Sequence, residues 1–297
     1  MSSLLFGQIL AILVAITSAE KSLLFSYLGK KVSPRATVHI RLWIATPLIL
    51  ILTFLTEGNA IFFANLQTWI ILLLSGIVGY FICDSFAFWA YTNIGARKSM
   101  VIMTLNPIFH SILSYYFFKE ALTPLQIFAA LITISGIIIL VSSKDKNVIQ
   151  NSNNQTKGII FAFLGAISQT ISNILAKSAL YTLGPLSTNT IRVLGGLIAA
   201  SIFAIFFRKE FIKDFKAYNS IKNISLLSLA TISGPIVGMT VLFYAFNYAP
   251  VGLVTAIAQI SPIFILIYEL IFLKKKVNSL EVIGTLISVV GVFILFI

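Results

Sequence analysis

VIMTLNPIFHSILSYYFFKEALTPLQIFAALITISGIIILVS, residues 101–142, is the stretch whose reading decides the fold. It reads as two apolar helices joined by a short polar turn, Phe118-Lys119-Glu120-Ala121-Leu122-Thr123-Pro124. Displaced by 155 positions, it lies on residues 256–297 without a gap. Pro107 then falls on Pro262, Ile108 on Ile263, Phe109 on Phe264, Phe117 on Phe272, Lys119 on Lys274, Leu125 on Leu280 and Gly136 on Gly291. Apolar helices share Ile and Leu through composition alone. Pro, Lys and Gly matching in one register mark a duplication, and a repeat constrains the fold before any local assignment.

Composition says where the repeats live. Hydrophobic residues make up 58% of the chain and charged residues 10%, with a mean hydropathy of +0.99. A soluble domain carries about 25% charged residues, so this chain cannot cover a water-facing surface and must be an integral membrane protein. Its formal charge of +12 belongs to loops that set orientation, not to a nucleic-acid surface. The lone cysteine, Cys83, excludes a disulfide framework and a thiolate metal site. With only His39 and His110 besides, no metal or other cofactor is expected. The opening MSSLLFGQILAILVA lacks a basic leader region and reads as the first span.

A span takes roughly 20 mostly apolar residues. That length places ten helices, at about 4–28, 36–55, 67–91, 99–118, 124–142, 158–181, 186–207, 224–247, 252–272 and 280–297. A polar Asn-, Lys- and Ser-rich segment, 143–157, separates five from five and reads as a linker. The units are therefore residues 1–142 and 158–297. Their front parts match at a displacement of 151: Gly7 on Gly158, Ala15 on Ala166, Pro34 on Pro185, Arg41 on Arg192. The change of displacement fits a longer loop after the seventh helix than after the second. Five being odd, the second unit enters the membrane from the opposite face. The expected fold is all-α, ten transmembrane helices in two inverted five-helix repeats, an architecture suited to alternating access.

Sixteen of the 21 Lys and Arg fall in the loops after helices 1, 3, 5, 7 and 9, and only Lys119 falls in those after 2, 4, 6 and 8. The positive-inside rule then puts both termini outside the cytoplasm. With repeats, spans and turn in place, the chain resembles the drug/metabolite transporter superfamily in its ten-span EamA-type branch. The resemblance runs the whole length and is most specific in the paired segments 101–142 and 256–297, with Ser33-Pro34…Arg41 and Gly184-Pro185…Arg192 as the links between the first two helices of each half. It implies a helical bundle around a central cavity that moves metabolites, often amino acids or related solutes and frequently outward. The chain departs from that pattern in two places: Lys275 replaces Glu120 in the second turn, and the loop charges oppose the cytoplasmic termini usual in that branch.

Charged residues inside a bilayer cost about 2.5–3.5 kcal/mol each and are functional candidates by default. Glu20, Lys21 and Asp84 lie deepest; Lys21 or Glu20 facing Asp84 across a cavity would serve a proton, another coupling ion or a substrate charge. Arg41 and Lys177 lie near helix ends, where long side chains can snorkel. Arg41 and Arg192, at matched positions, suggest a shared scaffold task, and Glu269 a partner for Lys274. Trp89 and Tyr244 also match and suit an aromatic wall for an organic cation or an aromatic solute. Asn106, Gln169, Asn173 and Gln259 complete the candidate substrate or coupling residues, Gln169 and Asn173 sharing a helix face at i, i+4. Tight packing is the structural alternative for the glycines Gly76, Gly79, Gly234 and Gly238, and hinging the functional one. No GxxxxGK[ST], HExxH or GxSxG motif is present, so neither ATP hydrolysis nor intramembrane enzyme chemistry is expected. The sequence thus reads as a secondary transporter of a small organic metabolite, a monomer or weak oligomer. A multidrug or organic-cation exporter is the alternative, and a channel a more distant one.

Overall fold

A computed structural model describes residues 3–59, 61, 64–109, 112–113, 123–142, 152–177, 183–249, 251–272, 274 and 277–294. The turn at 118–122, His110, most of the linker, Lys275 and Lys276 lie outside these residues. Among the described residues every regular element is helical: α1 Ser3–Leu28, α2 Pro34–Thr56, α3 Leu66–Gly76, α4 Asp84–Met103, α5 Pro124–Ser142, α6 Ser152–Lys177, α7 Pro185–Ile202, α8 Phe211–Lys216, α9 Ile221–Thr231, α10 Met239–Ala245, α11 Val251–Ala258, α12 Ser261–Ile271 and α13 Ser279–Ile294. A π-helical segment, Ile77–Cys83, fuses α3 to α4, and another, Ile232–Gly238, fuses α9 to α10. Among the described residues eight helices are long and apolar enough to cross a membrane, and α13 is a shorter apolar one.

The bundle is inside out relative to a soluble protein. Leu55, Phe206, Phe207 and Ile221 stand exposed, while the largest fully buried side chains are Arg41 and Arg192. Without a lipid-versus-helix hydrophobic difference, such helices associate through close packing. That packing runs mainly between the two halves: α5 lies on α13, α4 on α6, α2 on α7, and α1 on α9 to α12. It also follows the repeat register. Gly136 abuts Ser288, and Gly291 abuts Thr133; a Cβ on either glycine would stand 2.5 Å from the partner's backbone nitrogen. These four residues exchange under the displacement of 155.

Several boundaries differ from the sequence reading, each for a local reason. The loop expected between spans three and four is a single break at Gly95, whose φ of 80° is open to glycine. Arg97 and Lys98, assigned to that loop, sit in helix and are buried. The linker yields to helix at Ser152, because Ser152-Asn153-Asn154-Gln155 is polar without a helix breaker. The loop after α7 carries the short helix α8 and ends earlier, at Ile221. The proline-bearing spans break at Thr104-Leu105 and at Gln259-Ile260, again 155 apart. Proline at the next turn removes a backbone donor, and the chain passes through tighter bonds such as Leu105 N to Ile102 O, 3.1 Å, and Ile260 N to Ile257 O, 3.1 Å.

Candidate functional site

The two matched arginines define the centre. Ser33 caps α2 by accepting from Ala36 N at 3.2 Å, and Pro34 starts the helix. Arg41 follows two turns later. It is 2% exposed, so it does not snorkel as its position near a helix end suggested. Its guanidinium pairs with Asp84, donates to the Tyr80 carbonyl at 3.0 Å, and lies 5.3 Å from the Phe88 ring centre. The partner of Asp84 is therefore Arg41, not Glu20 or Lys21.

Arg192 stands at the same depth of α7. The Glu57 carboxylate caps that helix from the other half, accepting from Leu186 N at 2.9 Å and Ser187 N at 2.8 Å, where a negative group also meets the positive helix end. Arg192 is 1% exposed and has no carboxylate among its partners in the described residues. Its Nε donates to Ser75 Oγ and its Nη2 to Ser172 Oγ, both at 3.0 Å. Those hydroxyls in turn donate to each other's carbonyls, at 2.8 and 2.7 Å. The Tyr80 and Phe243 rings flank the guanidinium, each 5.4 Å away. Gly76 lets α3 approach this closely: a Cβ there would fall 1.8 Å from the Arg192 carbonyl oxygen.

Between the arginines lies a cavity of about 20 Å³, lined by Lys21, Arg41, Gly79, Tyr80, Asp84, Gln169, Arg192, Pro235 and Met239. This is room for roughly one water. The π-helical segments Ile77–Cys83 and Ile232–Gly238 both reach it and coincide under the displacement of 155. They are tied together: Tyr80 Oη donates to Asn189 Oδ1 at 2.5 Å, and Asn189 Nδ2 donates to the Pro235 carbonyl at 2.7 Å. π segments cluster at functional places because the widened turn strands backbone groups.

The expected residues divide around this cavity. Lys21, Asp84 and Gln169 line it. Asn173 accepts from Gln169 Nε2 at 2.9 Å. Trp89 lies elsewhere, in a cavity of about 210 Å³ with Arg35, His39, Phe81, Phe86 and Phe203. There His39 accepts from Trp43 Nε1 at 3.1 Å, which leaves Nδ1 to donate to Asp214 at 2.9 Å and clasp α8 to α2. Asn106 is held at its carbonyl and side chain by Thr170 Oγ1, both at 3.2 Å. Glu20, Tyr244 and Gln259 line neither cavity. Sequence reasoning ranked Arg41 and Arg192 as scaffold and passed over Tyr80; the matched positions of the arginines were the signal that pointed to them.

A second charged cluster links the halves away from the cavity. Arg97, just past the Gly95 break, pairs with Glu269 at 3.1 Å and with Glu281, and Lys98 lies 3.5 Å from Glu281. All four are buried. Glu269 thus pairs with Arg97 and not with Lys274.

An apolar-surfaced helical bundle with a charged cavity between its halves defines a multi-span membrane protein. The sequence profile of the EamA-like transporter family matches residues 5–142 and again 156–297. The chain belongs to the EamA-like transporter family. It is 21% identical over 249 residues to a protein of Synechocystis sp. called uncharacterized transporter sll0355, covering 78% of this chain and 72% of that one. A solved crystal structure shares the fold with a TM-score of 0.66 over 96% of both chains, at 15% identity.

Proposed function

We propose that this protein is a secondary transporter of ten spans in two inverted repeats, moving a small organic solute through the Arg41–Arg192 cavity by alternating access. The observation that carries this reading is the charged cavity on the seam between two halves that pack in repeat register. The ten-span count takes Leu66–Met103 as two spans meeting at Gly95. Its 38 residues would reach about 57 Å as one helix, nearly twice a ~30 Å hydrocarbon core. Five spans per half then make the second half inverted. Matched π segments beside the cavity supply paired hinges, and a chamber of about 20 Å³ must open before a solute enters. The loop charges favour non-cytoplasmic termini; labelling cysteines placed at Met1 and Lys146 from either side tests that orientation.

The function is tested in proteoliposomes with labelled amino acids and small organic acids. Saturable flux accelerated by solute on the far side is expected of a carrier. Non-saturating flux with single-channel conductance would replace the carrier with a channel.

A further inference from the structure

Resting on the transporter reading, we infer that the cavity takes its solute by a carboxylate group, with Arg192 as the anchoring residue. Four formally charged side chains line the cavity: Lys21, Arg41, Arg192 and Asp84. Three are cations, and the one carboxylate is engaged by Arg41. Glu20 immediately precedes Lys21 on α1 but lines neither cavity. Arg192 is therefore a buried cation whose partners are two hydroxyls and two aromatic rings. Among the described residues its Nη1 has no hydrogen-bond partner, and neither has Arg41 Nε. Uncompensated charge in the membrane interior is costly, and a bound anion relieves that cost. A planar guanidinium with an open donor matches a carboxylate in particular, through paired or charge-assisted hydrogen bonds. The Tyr80 and Phe243 rings flank the same guanidinium, each 5.4 Å away. An organic cation, which the aromatic residues suggested from sequence, would instead meet three like charges.

The repeat supplies the decisive variant. Met239 lines the cavity and occupies the position that corresponds to Asp84. Met239→Asp gives Arg192 the kind of partner Arg41 already has; Met239→Asn has nearly the same shape without the charge. The assay runs monocarboxylic and amino acids of two to six carbons, each beside its amide and its amine, reading both proteoliposome flux and thermal protection in detergent. The carboxylates are expected to protect and to be carried, with their amides at least 10-fold weaker. Met239→Asp should lower carboxylate flux at least 10-fold, Met239→Asn should keep the selectivity, and Arg192→Lys should keep part of the flux while Arg192→Gln loses it. Amides or amines carried as well as carboxylates would overturn the carboxylate site and leave the transporter standing. Unchanged carboxylate flux in Met239→Asp would do the same. Carboxylate protection without any flux would sink the transporter reading and leave the site; neither protection nor flux overturns both.

Discussion

Arg41 and Arg192 occupy matched positions in the two halves, are buried to the same degree and share the Tyr80 ring, yet their electrostatic surroundings differ. Arg41 has Asp84; Arg192 has Ser75, Ser172 and an open donor. The helix-one residues beside them differ in the same sense. Lys21 corresponds to Ser172, so the first half gains an extra cation and a carboxylate where the second half has a hydroxyl and Met239. A duplicated scaffold has kept its geometry and divided its chemistry. One arginine is locked into the structure and the other is left available.

The largest effect should come from the locked arginine. Arg41→Met leaves Asp84 without its salt bridge in a largely buried place, and breaking such a pair costs about 3–5 kcal/mol. Arg192→Met removes two hydrogen bonds but also an uncompensated charge, so its net cost is near 1–2 kcal/mol. Thermal unfolding in detergent checks this difference, and equal losses would abolish the division of roles. Adding Asp84→Leu to Arg41→Met should return most of the stability while flux stays lost.

The charged cluster extends the comparison beyond the cavity. Glu281 holds both Arg97 and Lys98, whereas Glu269 holds Arg97. The first-half counterpart of Glu281 is Gln126, which caps its own helix by accepting from Thr123 N at 3.0 Å. Glu281→Gln should cost about 2–3 kcal/mol, in the range for hydrogen bonds to charged groups, and Glu269→Gln less. Gln126→Ala, on the side without the cluster, should cost about 1 kcal/mol or below. A Glu281→Gln variant as stable as the parent would show that the cluster does not hold the halves together.

A finer contrast lies in Gly79 and Gly234. A Cβ on Gly79 would stand 2.3 Å from Ser172 Oγ, the hydroxyl that accepts from Arg192. A Cβ on Gly234 would stand 2.7 Å from Lys21 Cδ, partway along a flexible chain that can move aside. Overpacking costs about 1–3 kcal/mol where neighbours cannot yield. Gly79→Ala should therefore lose about 1–2 kcal/mol and much of the flux, and Gly234→Ala less than about 0.5 kcal/mol. Equal losses would mean that the two sites are packed alike despite their different neighbours.

The sequence made the membrane bundle and its duplication legible, because Pro107/Pro262, Gly136/Gly291 and Arg41/Arg192 keep register across the halves. The paired helix breaks follow from the prolines. What it hid was depth and partnership. Arg41 lies two turns from a helix start, a distance from which a long side chain on an isolated helix reaches the interface. It is buried because α4 brings Asp84 and Phe88 against it, which is tertiary information. Glu269 has Lys274 close in sequence and Arg97 far away, yet the fold chooses Arg97. Gln169 lines the cavity and Asn173 bonds it, as an i, i+4 pair on one face can. No periodicity separates that face from the one carrying Tyr244, which the cavity does not reach.

The smallest effect should fall on a residue that the sequence ranked first. Glu20 and Asp84 were equal candidates by depth, since both are acids far from a helix end. Asp84 lines the cavity and compensates Arg41; Glu20 is partly exposed, lines neither cavity and forms no ion pair among the described residues. Adjacent residues on a helix point in different directions, so Lys21 facing the cavity turns Glu20 away from it. Asp84→Asn removes the compensating charge and should abolish flux. Glu20→Gln should leave flux within about 2-fold of the parent, because a group not engaged by a partner can lose its charge at little cost. Its pH profile in proteoliposomes should also match the parent's. Flux lost in Glu20→Gln at unchanged thermal stability would place a coupling proton on α1, and the cavity charges would then describe only half of the transport cycle.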